Sequence, residues 1–157
     1  MSKSSVVPTL YEWAGGIERL RRLTEAFYGK VKTDPLLASV FAMMDARHPQ
    51  FVADFLAEVF GGPQRYSEQR GGHAHMIGKH LNRHLDEAKR RRWVHLLLDA
   101  ADEVGLPDDP EFRSAFLSYI EWGTRIAVIN SQPGAAAVPD QPMPHWGWGE
   151  VKGPYQA

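Results

Sequence analysis

Ile17, Leu20, Thr24, Phe27 and Val31 recur every three or four residues, and the same interval returns in each apolar stretch of the chain. An α-helix turns once in about 3.6 residues, so this spacing gathers apolar side chains on one face. A half-buried strand needs strict alternation, which the sequence does not show. Glycine and proline then cut the pattern into pieces. A short leading helix around Leu10–Trp13 meets Gly15-Gly16, and a helix is expected over about 16–32. Thr33-Asp34-Pro35 restarts the chain into a short helix through Leu36–Val40, with Asp34 able to cap and Pro35 suited to a first helical position. The next helix spans about 47–60, with Phe51, Val52, Phe55, Leu56 and Val59 on one side and Pro49 in its first turn, where a missing N–H costs least. Gly61-Gly62-Pro63 ends it. A loop runs through Gly71-Gly72 to a short helix near 73–81. A long helix over about 86–105 places Trp93, Leu96, Leu97, Ala100, Ala101 and Val104 together. Asp109-Pro110 starts the last, through about Asn130, with Phe112, Phe116, Tyr119 and Ile120 inward. Seven short helical segments predict an all-α globule of steeply crossing helices, not an up-and-down bundle.

The length, 157 residues, suits one domain with its own core. A hydrophobic content of 43% excludes a disordered chain. The absence of cysteine excludes disulfide scaffolds, thiolate metal sites and cysteine nucleophiles, and agrees with a cytoplasmic location. No apolar run reaches membrane-spanning length, and the N-terminus lacks the apolar stretch of a secretory signal. A net charge of -1 argues against general nucleic-acid binding. After Ser131 the periodicity stops and prolines and glycines crowd together. The chain therefore divides into a helical domain, 1–130, and an extension, 131–157. Trp146, Trp148 and Tyr155 gain nothing in water, so the extension is expected to pack on the body.

Five of the seven histidines fall between His73 and His95. His80 and His84, four apart, share a helical face, a spacing that suits zinc or nickel. Without cysteine or a well-placed carboxylate, a hydrolytic metal site is disfavoured. Only one neutral imidazole is needed for an axial bond to haem iron. That use also demands a large apolar slot, which Phe27, Phe41, Phe51, Val52, Phe55, Met76, Trp93 and Leu97 could line. Taken alone, that set is ordinary core. Tyr28 brings a hydroxyl to the same face. Lys89-Arg90-Arg91-Arg92 near a helix start, and Asp99, Asp102 and Glu103 near its end, both oppose the helix dipole.

Taken in order, these pieces resemble the group II truncated haemoglobins. The match covers about Leu10 to Asn130: Gly15-Gly16 after a vestigial first helix, AFYGKV at 26–31, SVF at 39–41, FLAEVFGGPQRYSEQRGG at 55–72, HMIGKHL at 75–81 and RRWVHLL at 91–97. The resemblance implies a two-over-two helical sandwich around haem b. It makes His80, thirteen residues before Trp93, the proximal iron ligand. It makes Tyr28 the distal tyrosine and Phe41 an aromatic packed on the haem. Trp93 lies beside the distal pocket, able to donate its indole N–H. His48 and Val52 fall at the two distal positions of the following helix. Met76 lines the haem, with Phe55 beside it in the slot, and Lys79 meets a propionate. Two departures stand out: Phe51 replaces an arginine that in some relatives reaches a propionate, and one extra residue sits near Gly71-Gly72.

The implied activity is binding of dioxygen and other diatomic ligands at a five-coordinate ferrous iron, with Tyr28 and Trp93 stabilising negative charge on the ligand. A haem peroxidase or nitric-oxide dioxygenase served by a separate reductase is the alternative. A metal-binding or interaction module built on the histidine cluster is the third reading.

Overall fold

The computed structural model describes residues 6–81, 83–135, 142–149 and 154. Among these, all regular structure is helical: α1 (Leu10–Ala14), α2 (Gly16–Val31), α3 (His48–Val59), α4 (Arg65–Arg70), α5 (Gly72–His80), α6 (Glu87–Glu103) and α7 (Pro110–Asn130). No helix of the described residues is long and apolar enough to cross a membrane.

The helix boundaries follow from capping chemistry. Thr9, Asp86 and Asp109 each accept a backbone N–H from the first turn of α1, α6 and α7. Gly15 and Gly16 sit at φ 106° and 76°, the left-handed region where a Cβ is penalised, and so reverse the chain between α1 and α2. Gly62 is needed for a different reason: a Cβ there would meet the Tyr11 ring at 2.7 Å.

α2 is the central element, packed on both α3 and α6, while α7 lies against α6 and receives α5 and α1. The apolar stripe read from the sequence is the core. Leu20, Leu23, Phe27, Val31, Phe60, Leu97, Ala100, Phe112, Phe116 and Ile120 are all essentially inaccessible. Fully burying such a side chain contributes roughly 1.5–3 kcal/mol.

Two segments differ from expectation. Leu36–Val40 is a run of turns, not a helix. Asp34 does cap it, accepting from the Leu36 and Leu37 N–H groups at 3.0 and 3.1 Å. The bonds that follow are then mostly i to i+3, Val40 to Leu37, Ala42 to Ser39 and Met44 to Phe41, so no α-ladder accumulates. Conversely, α4 forms within the stretch ahead of Gly71 that has no apolar period. Its anchor is a buried carboxylate: Glu58 accepts the Ser67 N–H at 2.8 Å and the Ser67 hydroxyl, while Tyr66 is buried.

The charge order on α6 that opposes its dipole is settled by ion pairs. Arg90 is buried and meets Glu87 at 2.7 Å and Glu121 at 3.2 Å; Arg92 meets Asp34 at 2.6 Å. At the other end Glu103 holds Lys30 at 2.7 Å and Asp102 holds Arg113 at 2.9 Å. The basic run is thus spent on internal partners.

In the extension, the Trp146 N–H donates to the Val59 carbonyl at 2.7 Å, and its ring lies 5.5 Å from Tyr119 and 5.6 Å from Trp122. The Trp148 indole donates to the Pro8 carbonyl at 2.8 Å and sits 6.0 Å from Trp13. Tyr155 lies outside the described residues.

Candidate functional site

Between α2, α3, α5 and α7 the helices leave a cavity of about 620 Å³. Tyr28, Phe41, His48, Val52, Phe55, Met76, Lys79, His80 and Trp93 all line it. Five elements supply them. Tyr28 comes from α2, Phe41 from the turns after it, His48, Val52 and Phe55 from α3, Met76, Lys79 and His80 from α5, and Trp93 from α6. His73 and His75 also reach the wall, whereas His84 and His95 do not. His84 turns away at φ 53° with its N–H on the Ser131 carbonyl. His95 is exposed and meets Asp99 at 3.3 Å.

His80 ends α5, and its Nδ1 lies 2.8 Å from the Met76 carbonyl one turn back. A carbonyl only accepts, so Nδ1 carries the proton and Nε2 keeps its lone pair. Nε2 has no protein partner among the described residues. Burial lowers the His80 pKa below the ordinary imidazole value; the Met76 bond works against that, and Arg83 and His73 reinforce it. A neutral imidazole with a fixed tautomer and a free lone pair is the form that ligates a metal.

The other polar group of the cavity joins two helices. The Tyr28 hydroxyl and His48 Nε2 lie 2.9 Å apart. Burial pushes the Tyr28 hydroxyl far above its ordinary pKa, so it stays protonated. Burial, then the nearby Lys79 and His80, lowers the His48 pKa. Both are neutral, and the hydroxyl can donate to or accept from the ring. Phe41 closes on both, 5.6 Å from Tyr28 and 6.1 Å from His48. Trp93 is held edge-on by Phe27 at 4.8 Å, and Phe27 in turn lies 4.8 Å from Tyr28. The Trp93 indole N–H finds no acceptor among the described residues and is free for a ligand.

Sequence reasoning left one feature out. The Arg70 guanidinium, at the end of α4, lies 3.6 Å over the Phe51 ring. A cation therefore stands beside Phe51 even though that position has lost its arginine. The signal was present in the QRGG run, but the contact joins two helices and no spacing reveals it. Arg70, Lys79, Arg83, Lys89 and Arg90 line the cavity against a single carboxylate, Asp45. A cavity with apolar aromatic walls, one metal-ligating imidazole and a cationic border fits a flat, carboxylate-bearing metal macrocycle.

Comparison with known proteins agrees. The Bacterial-like globin family model matches residues 9–121. The Group 2 truncated hemoglobin YjbI of Bacillus subtilis is 30% identical over 117 residues, 74% of this chain and 86% of that protein. Among solved structures, the hemoglobin of the thermophilic phototroph Chloroflexus aurantiacus is 32% identical with a TM-score of 0.68, covering 76% of this chain and 97% of its own. A truncated oxygen-avid haemoglobin from Bacillus subtilis is 29% identical with a TM-score of 0.69, covering 77% and 99%. The helices thus form the truncated-globin fold, and the chain belongs to the bacterial-like globins and, within them, to the group II truncated haemoglobins.

Proposed function

We propose that the chain carries haem b in this cavity, with His80 as the iron ligand, and binds dioxygen and other diatomic ligands on the side lined by Tyr28, His48, Val52 and Trp93. Membership of the truncated haemoglobins already implies a haem-binding globin. The observation that carries the finer reading is the His80–Met76 bond at 2.8 Å, which turns a lone pair into a cavity that holds the Tyr28–His48 pair on another helix. When bound, haem supplies a ferrous iron that takes a small gas molecule. The protein supplies the rest. Phe41, Phe55 and Met76 offer apolar contact to the macrocycle, and Lys79, with Arg70, offers charge to its carboxylates. Tyr28 and Trp93 offer hydrogen bonds to the ligand, and His48 sets the Tyr28 hydroxyl.

A hydrogen bond to a ligand bearing partial negative charge contributes about 1.5–3 kcal/mol, roughly tenfold to a hundredfold in release rate. Such retention suits an oxygen-holding or redox role better than rapid delivery, in keeping with the oxygen-avid Bacillus subtilis relative. The test is oxygen dissociation from the ferrous protein. Tyr28→Phe and Trp93→Phe should each release oxygen faster by roughly one to two decades, with carbon monoxide release changed much less. Unchanged oxygen release in both, with strong acceleration in His48→Leu, would move the distal role to His48.

A further inference from the structure

Beside the haem cavity lies a second chamber of about 480 Å³, walled by α5, α7 and the extension segment 142–146. His73 and Trp122 belong to both walls. Its volume is ample for a small ring, since an apolar cavity of roughly 150 Å³ already takes benzene. Two indoles furnish flat surfaces: Trp122, 37% exposed, and Trp146, with planes 38° apart. The backbone bond from Trp146 to Val59 fixes the second of them, so little ordering remains to be done on binding. Met143 adds a polarisable thioether, which favours aromatic partners.

One polar atom in this wall lacks a partner. His73 is 9% exposed, its ring stacked between Phe55 at 6.5 Å and Trp122 at 6.4 Å, and its Nδ1 is buried without a hydrogen bond among the described residues. Such an orphan is costly and rare in a native interior. Burial lowers the His73 pKa, so the ring is neutral. A neutral ring presents at Nδ1 either a proton or a lone pair. A hydroxyl both accepts and donates, and answers either tautomer. We propose that this chamber is a binding site for a small planar aromatic molecule of the phenol class, its ring on Trp122 and Trp146 and its hydroxyl on His73 Nδ1.

The test uses the haem-loaded ferrous protein saturated with carbon monoxide, so that the iron is already occupied and the sample is diamagnetic. Para-fluorophenol and fluorobenzene are titrated and followed by fluorine NMR. The wild-type protein should bind fluorophenol saturably, with a dissociation constant on the order of 1 mM or tighter. His73→Phe, which keeps the stack but removes the nitrogen, should weaken fluorophenol about tenfold and leave fluorobenzene within about twofold. Trp146→Ala should weaken both. Absence of saturable binding to the wild type, or equal loss of both probes in His73→Phe, overturns the proposal. Haem loading is read separately from the absorption spectrum, so failure of this site and failure of the haem reading are distinct. Circular dichroism checks folding; if His73→Phe does not fold, Met143→Ala takes its place and should weaken both probes.

Discussion

Tyr28 has one hydroxyl proton, and at 2.9 Å His48 Nε2 competes with any ligand for its orientation. The two residues therefore act on a ligand as a unit, and their effects should not add. His48→Leu should alter oxygen release in the wild-type background, yet do almost nothing once Tyr28→Phe has removed the hydroxyl. Stopped-flow release rates for the two single variants and the double variant measure this. Coupling of about 0.5 kcal/mol or more is expected, and additive effects would show that His48 meets the ligand independently. The nine site residues expected from the sequence do line one cavity. They were legible because each sits in a local motif. The Tyr28–His48 bond and the Arg70–Phe51 stack were not, because each joins residues on different helices whose approach depends on packing alone.

Helices were legible wherever an apolar stripe faced a neighbour, as in α2, α3, α6 and α7. Legibility ended where another force shaped the chain. α4 is fastened by Glu58 rather than by periodicity, and the 34–44 turns answer to Asp34, whose second oxygen holds Arg92. The basic run of α6 likewise acquires meaning only through α7. Its ion pairs leave a measurable trace. The bond from Arg90 lowers the Glu87 carboxyl from 4.5 to about 2. A carboxyl whose pKa is depressed by folding stabilises the fold above its unfolded value, and that contribution is lost as pH falls from about 4.5 toward about 2. Arg90→Leu should flatten this acid limb in melts followed by circular dichroism; an unchanged limb would mean the pairing contributes nothing. The extension makes its own claim at this scale. We propose that it is part of the folded body, because Trp148 bridges Pro8, Trp13 and Phe112. Trp148→Ala should cost about 1–3 kcal/mol in denaturant unfolding. No loss, together with ready proteolysis of the extension in the wild type, would contradict that.

Across the whole molecule, four imidazoles, His48, His73, His75 and His80, are held below their ordinary pKa of 6.5, each chiefly by burial. Above that value both folded and unfolded chains carry them neutral. Below it the unfolded chain takes up protons that the folded chain resists, so stability falls with pH. The haem-free protein should lose thermal stability steadily from about pH 7 to about pH 5, ahead of the carboxylate limb. Constant melting temperature over that window would deny that these rings are buried neutral. The arrangement has one clear centre: α5 delivers His80 with its proton fixed on Met76, and the surrounding helices supply apolar walls, a cationic border and a hydrogen-bonding pair. The most direct measurement is the absorption spectrum of protein reconstituted with haem. The wild type and His84→Ala should show a strong haem band, while His80→Ala should lose haem or retain it loosely and recover the band with added imidazole. A normal band in His80→Ala, with loss in His84→Ala, would contradict the account.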